Sequence, residues 1–215
     1  MNHSPQNITF ISTVHKEIGM CNAEELACIL SEEHPDVVFL EALPETYSDY
    51  DKMTFSSFGV YHANLEIKAL QLFSSRSLVE YVPVLNSGWS ELFELKYNQV
   101  CENPEFRKML EEFNALVGEL GIKFLNSDDS VKLQQRIRML EDIILNDKDL
   151  KARFNIELDA YEDSMLNNIY SFCRNNQFEK AVFMCGVAHR KSLIEKIQSY
   201  NSKDTSNLNW TTLGN

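Results

Sequence analysis

The sequence predicts an α/β fold, with a mainly parallel central sheet flanked by helices and a helical insertion in the middle of the chain. Three observations carry this. First, the runs Ile8-Thr9-Phe10-Ile11, Val37-Val38-Phe39-Leu40 and Ala181-Val182-Phe183-Met184-Cys185 are apolar without a polar/apolar alternation, as strands buried on both faces require. Second, a strand, a helix and a strand follow one another between residues 7 and 41, the βαβ pattern that implies a parallel pair and a right-handed crossover. Third, from Trp89 to about Tyr170 apolar residues recur only at helical spacing. The expectation is one α/β domain over residues 1–215 with a helical insertion at about 89–150.

Each element has a local reason. Residues 7–14 are β-branched and apolar and form the first strand. Asn22 is an N-cap and Glu24 and Glu25 complement the positive end of the helix that follows, with Leu26, Ile29 and Leu30 on its buried face. Pro35 bars its continuation, and 36–41 is the second strand. Residues 42–59 show no clean period and predict a long loop over the strand ends. A helix is expected from His62 to Ser75, then a strand at 81–85, where Pro83 favours an edge position or a strand start. In the insertion, Phe106, Met109, Leu110, Phe113, Leu116 and Val117 form one stripe and Leu133, Ile137, Leu140, Ile143 and Ile144 another. Gly118, Gly121 and the cluster Asn126 to Asp129 separate the pieces. A helix at 156–176, a strand at 180–186, a helix from His189 to Tyr200 and a short strand at 208–213 complete the prediction.

Composition excludes several functions. The net charge is -12 and the pI about 4.9, so no basic surface is present to release counterions from nucleic acid. Five cysteines, at 21, 28, 101, 173 and 185, are widely spaced with no C-x-x-C pair, which suits reduced thiols better than a disulfide framework. No secretory leader pattern is found and no apolar run nears the roughly 18 to 20 residues a bilayer span needs. A cytoplasmic protein with no membrane partner is the expectation.

The candidate chemistry lies where strands end, since open parallel sheets bind ligands beyond the carboxyl ends of their strands. His15 follows the first strand, Glu41 ends the second, and His189 follows the run closed by Gly186. Two imidazoles and a carboxylate suit a divalent metal or acid/base chemistry. Glu41 is the sharpest signal, because a carboxylate at a buried strand end needs a cation or hydrogen-bond donors. His62 and Glu66 share a helix face and could supply two ligands to one ion. Glu45 reads as a solvated loop acid, Asn86-Ser87-Gly88 as polar groups at the rim, and Cys185 as a small core residue. There is no phosphate-cradling glycine loop, no G-x-S-x-G elbow and no H-E-x-x-H helix.

The pattern Ser12-Thr13-Val14-His15, then Pro35-Asp36-Val37-Val38-Phe39-Leu40-Glu41, then Cys185-Gly186-Val187-Ala188-His189 resembles the TraB/PrgY and Tiki group, within a superfamily that includes the erythromycin esterase and ChaN-like proteins. The resemblance spans roughly residues 7–86 and 155–200. It implies that His15, Glu41 and His189 match the family's site and that Glu66 lies in its second glutamate segment. Two departures stand out: Ser12 where the family has glycine, and Tyr161 where an arginine precedes the helical Met165 by four residues.

What the resemblance implies is a metal-dependent hydrolase, peptidase- or esterase-like, acting on a small-molecule or peptide substrate. His15, Glu41, His189 and His62 are then the metal candidates, and His15, Glu41, Glu66 and His189 the catalytic ones. Mn²⁺, Co²⁺ and Zn²⁺ all accept such N/O ligands. Two other readings stay open. One is an inactive ligand- or peptide-binding regulatory protein on the same scaffold, which Tyr161 favours. The other is an interaction module whose helical middle forms a homodimer.

Overall fold

A computed structural model describes residues 5–45, 63–74, 78–88, 90–145, 147–202 and 208–214. It is an α/β fold with a five-stranded, wholly parallel sheet and, among the described residues, seven α-helices. The strands are β1 (Gln6–Thr13), β2 (Val37–Leu40), β3 (Glu80–Pro83), β4 (Lys180–Gly186) and β5 (Leu208–Thr212), in the order β3-β2-β4-β1-β5. The helices are α1 (Ala23–Glu33), α2 (Leu65–Ser74), α3 (Glu91–Cys101), α4 (Pro104–Leu125), α5 (Asp128–Ile144), α6 (Lys148–Asn175) and α7 (Arg190–Asn201).

The parallel direction of β1 and β2 is as the sequence predicts, but the two strands do not pair with each other. β4 lies between them, pairing Phe10 with Phe183 on one side and Phe39 with Phe183 on the other. The most apolar strand, from the far end of the chain, takes the centre because it is covered on both faces; Ala181 to Cys185 are all buried. β3 is an edge strand, where Pro83 removes no ladder hydrogen bond that the sheet needs.

Strand periodicity divides the core in two. Ile8, Phe10, Val37, Phe39, Ala181, Phe183 and Cys185 face α6 and α7, meeting Met165, Ile169, Leu193 and Ile197. The alternate residues Ile11, Val38, Leu40, Val182 and Met184 face α1 and α2 and, beyond them, Phe106, Phe113 and Val117 of α4 and Leu133 and Ile137 of α5. Burying each Leu or Phe on these faces contributes about 1.5 to 3 kcal/mol relative to exposure.

The helical middle of the chain breaks where its caps dictate. Asn103 caps α4 ahead of Pro104, Ser127 caps α5, and Asp147 caps α6 through the amides of Asp149 and Leu150. Leu145 rather than residue 156 therefore marks the boundary before the last long helix, which runs 28 residues. Gly118 lies within α4 and does not end it. Gly121 does bend it: with φ 68 it is in the left-handed region, and a Cβ there would sit 2.5 Å from the Glu25 carboxylate, which accepts the Ile122 amide at 2.8 Å. No described helix is long and apolar enough to cross a membrane. All five cysteines are free. The expected loop over 42–59 falls mostly outside the described residues.

Candidate active site

The site is assembled at the carboxyl edge of β1, β2 and β4 and has two halves, one on each face of the sheet. The half facing α6 centres on Glu41 and His189. Leaving β2, Glu41 turns its carboxylate under the end of β4, where Oε2 accepts the Gly186 amide at 2.7 Å. Its Oε1 accepts the Tyr161 hydroxyl at 2.9 Å and lies 3.7 Å from His189 Nε2, an ion-pair distance rather than a hydrogen bond. The Tyr161 ring stacks on His189 with centroids 5.6 Å apart. Tyr161 thus gives Glu41 a neutral donor.

His189 is 5% exposed, in the 3₁₀ turn Val187–His189 between β4 and α7. Its Nδ1 is 2.9 Å from Oε1 of Glu162, a residue 1% exposed whose Oε2 accepts the Ser192 hydroxyl at 2.5 Å. Lys196 Nζ stands 3.8 Å from that oxygen and also holds Asp163 at 2.8 Å. Glu162 fixes the ring: an Nδ1–H donated to it turns Nε2 toward Glu41. Cys185 Sγ, Glu41 and His189 each place one donor atom within 4.8 Å of the others.

Burial raises the Glu41 pKa, but the His189 ring, the Gly186 amide, His15 and the Cys185 thiol outweigh it, and the net shift is downward. Burial and the adjacent Glu41 charge push both the Tyr161 hydroxyl and the Cys185 thiol upward, so each is a proton donor to that carboxylate.

The half facing α2 centres on His15 and Glu66. Glu66 Oε1 accepts the Thr13 hydroxyl at 2.8 Å and lies 3.1 Å from His15 Nδ1. The hydrogen bond to Glu66 raises the His15 pKa from 6.5 to about 9 against the opposing effect of burial, with the charges of Glu66 and Glu41 adding to it. The His15 side chain is nevertheless 61% exposed, so water screens the pair. Between the halves lies a cavity of about 220 Å³ whose wall includes His15, Glu41, Glu66 and Tyr161.

Four of the sequence candidates therefore come together in two pairs, Glu41 with His189 and His15 with Glu66. His62 lies outside the described residues. Glu45 is exposed, and Gly88 lines the cavity while Asn86 accepts from Asn168 at the rim. Cys185 is a buried core residue, as expected, yet its thiol also reaches Glu41. The residue missed is Glu162. Its signal was present: in the stripe Leu158, Met165, Leu166 and Ile169 it places a carboxylate on an otherwise apolar face, which only a partner can sustain.

A second polar cluster holds the site's frame. Arg190, 3% exposed, donates to Ser12 Oγ at 3.2 Å, to Asn126 Oδ1 at 2.9 Å, to the Asn126 carbonyl at 3.0 Å and to the Leu213 carbonyl at 3.2 Å. Asn126 in turn accepts the Ser12 amide at 2.8 Å. Ser12 is thus where β1, the α4–α5 junction and α7 are tied together.

No protein-family model, curated protein or solved structure matches the chain. The site's chemistry must be read from its own atoms: a parallel α/β protein with two carboxylate-histidine pairs at one sheet edge.

Proposed function

We propose that the chain is a metal-dependent hydrolase whose ion is held by Glu41, His189 and Cys185. The observation that carries this is the orientation of His189, clamped at Nδ1 by Glu162 so that Nε2 faces Glu41 and the Cys185 thiol. A carboxylate behind a ligating imidazole is the usual support of a metal-binding histidine. The donor set fits a divalent ion: the Glu41 carboxylate keeps a lone pair beyond its donors Tyr161, Gly186 and Cys185, the last of which would give up its proton to ligate, and one O, one N and one S suit Zn²⁺ or Co²⁺ better than Mn²⁺. When bound, such an ion supplies a polarised water with a pKa near 7.

The chain's own residues would do the rest. Tyr161 and the Gly186 amide orient Glu41, and Glu162 sets the tautomer of His189. His15 does not join the ligand set in this reading: held as an imidazolium by Glu66, it donates a proton to the departing atom and regains one from solvent at its exposed edge. The apolar cavity wall keeps bulk water from the reacting bond.

A second reading has its own observation. The Tyr161 hydroxyl is a neutral donor to Glu41, which suits a binding protein without turnover. Metal content and Zn²⁺ affinity of the parent, His189→Ala, Cys185→Ser and His15→Ala decide between them. The expected result is one ion per chain, with affinity more than about 100-fold weaker in the first two variants, which lose a ligand rather than a supporting partner, and unchanged in His15→Ala, alongside hydrolysis of a peptide or ester panel. Absence of stoichiometric binding in the folded parent overturns the metal centre and leaves the binding reading.

A further inference from the structure

The cavity of about 220 Å³ beside Glu41 has charged residues in its wall, but the protein itself uses their polar atoms. Glu66 Oε1 is taken by Thr13 and His15, and its Oε2 is buried out of a ligand's reach. The two Glu41 oxygens accept the Tyr161 hydroxyl and the Gly186 amide. Asn64 Oδ1 accepts the Ile67 amide, and the Leu40 and Ala42 carbonyls accept the amides of Val84 and Leu85. The surface left for a ligand is therefore mainly hydrocarbon: Ile67, and the seam where Leu40 and Met184 of one half of the core meet Leu43 and Leu85 of the other. His15 belongs to the same wall and its side chain is 61% exposed, so the cavity opens to water on that side.

We propose that this cavity is the acyl subsite of the enzyme and takes an uncharged, branched aliphatic acyl group of about five carbons. The proposal rests on the hydrolase reading and deepens it: the substrate is an ester or amide of a short branched acid. Three features select this ligand. A charged head entering the cavity would give up its hydration with no partner in return, since the carboxylate oxygens of the wall are occupied or buried, whereas a hydrocarbon group gains about fourfold in affinity for each methylene it buries. The volume equals on the order of seven water-sized groups, which admits a 3-methylbutanoyl group and little more. Glu41 belongs both to this wall and to the cluster it forms with Cys185 and His189, so the cavity adjoins the proposed centre of reaction.

The test uses metal-free, full-length protein and follows the methyl chemical shifts of Leu43, Leu85 and Met184 during titration with 3-methylbutanamide. Three further probes each change one property: propanamide is shorter, and 3-methylbutanoate and 3-methylbutylammonium carry a charge. Saturable shifts are expected with the branched amide, with binding about tenfold weaker for propanamide and weaker by about tenfold or more for either ion. A Cβ on Gly88 would meet only Leu43 Cδ1, at 3.7 Å, so Gly88→Leu builds toward the cavity without striking backbone. This variant should bind the branched amide about tenfold more weakly at an unchanged melting temperature. No saturable binding of the branched amide, equal binding of propanamide or of either ion, or full retention of amide binding by a folded Gly88→Leu overturns the subsite. Repeating the titration with Zn²⁺ added separates the claims: amide binding without Zn²⁺ uptake leaves the subsite standing and removes the metal centre, and Zn²⁺ uptake without amide binding does the reverse.

Discussion

His15 and His189 both follow a parallel strand after a small residue, yet the protein places them in opposite environments. His189 is 5% exposed, in contact with the buried carboxylate of Glu162 and within ion-pair distance of Glu41. The His15 side chain is 61% exposed and has one carboxylate, Glu66. The difference begins one residue further along the chain. Arg190 follows His189 and is pinned by four acceptors, so the turn after β4 is held as firmly as the sheet. Lys16 follows His15 and is exposed. A buried imidazole held from both sides suits a fixed ligand, and an exposed one with a single partner suits proton exchange.

The comparison predicts unequal costs of truncation, and this is the largest expected effect. Glu162→Ala leaves His189 Nδ1 and the Ser192 hydroxyl without their partner in a dry site, and should cost about 3 kcal/mol. His15→Ala removes a solvent-screened pair and should cost less than about 1 kcal/mol. Denaturant midpoints at unchanged slope would measure both; equal losses would break the distinction between the halves.

A smaller effect sharpens the role of Tyr161. Tyr161→Phe keeps the ring stacked on His189 and removes only the donor to Glu41 Oε1. A hydrogen bond to a buried carboxylate is worth about 2 kcal/mol, and that loss is expected in the same unfolding experiment. A loss under about 0.5 kcal/mol would show that another donor replaces the hydroxyl, and the reading of a Glu41 satisfied by Tyr161 would fail.

The sequence made the strands and three of their terminal residues legible because burial on both faces writes an unbroken apolar run, and a polar residue closing such a run stands out. It did not reveal that β4 separates β1 from β2. Adjacency depends on how strands from distant parts of the chain share helices, and no local pattern in residues 7–41 encodes a strand at 180. Pairing of functional groups was equally hidden. Glu66 was linked to His62 by helix spacing, whereas the contact observed is to His15, 51 positions away. Glu162 was readable in principle, as a charge on an apolar stripe, but naming its partner required knowing that α6 crosses the end of β4. Ser12 shows the opposite case: a small residue near the end of an apolar run whose ties to Arg190 and Asn126 no local pattern announces.

The smallest effect belongs to the exposed half. The Glu66 hydrogen bond raises the His15 pKa from 6.5 to about 9, and exposure of the ring lets water reduce that shift, so the titration should fall between these two values. Because the folded pKa is the higher one, the pair's contribution to stability is fully present below pH 6.5 and is lost as pH rises through the folded pKa. Following the His15 ring resonances with pH, in the parent and in Glu66→Gln, checks this directly. The parent should titrate above 6.5 and the variant should return toward it, with the stability difference between the two shrinking over the same interval. A parent His15 titrating at or below 6.5 would mean that the ring is neutral when the site works, and the proton-donor role would pass from His15 to another group.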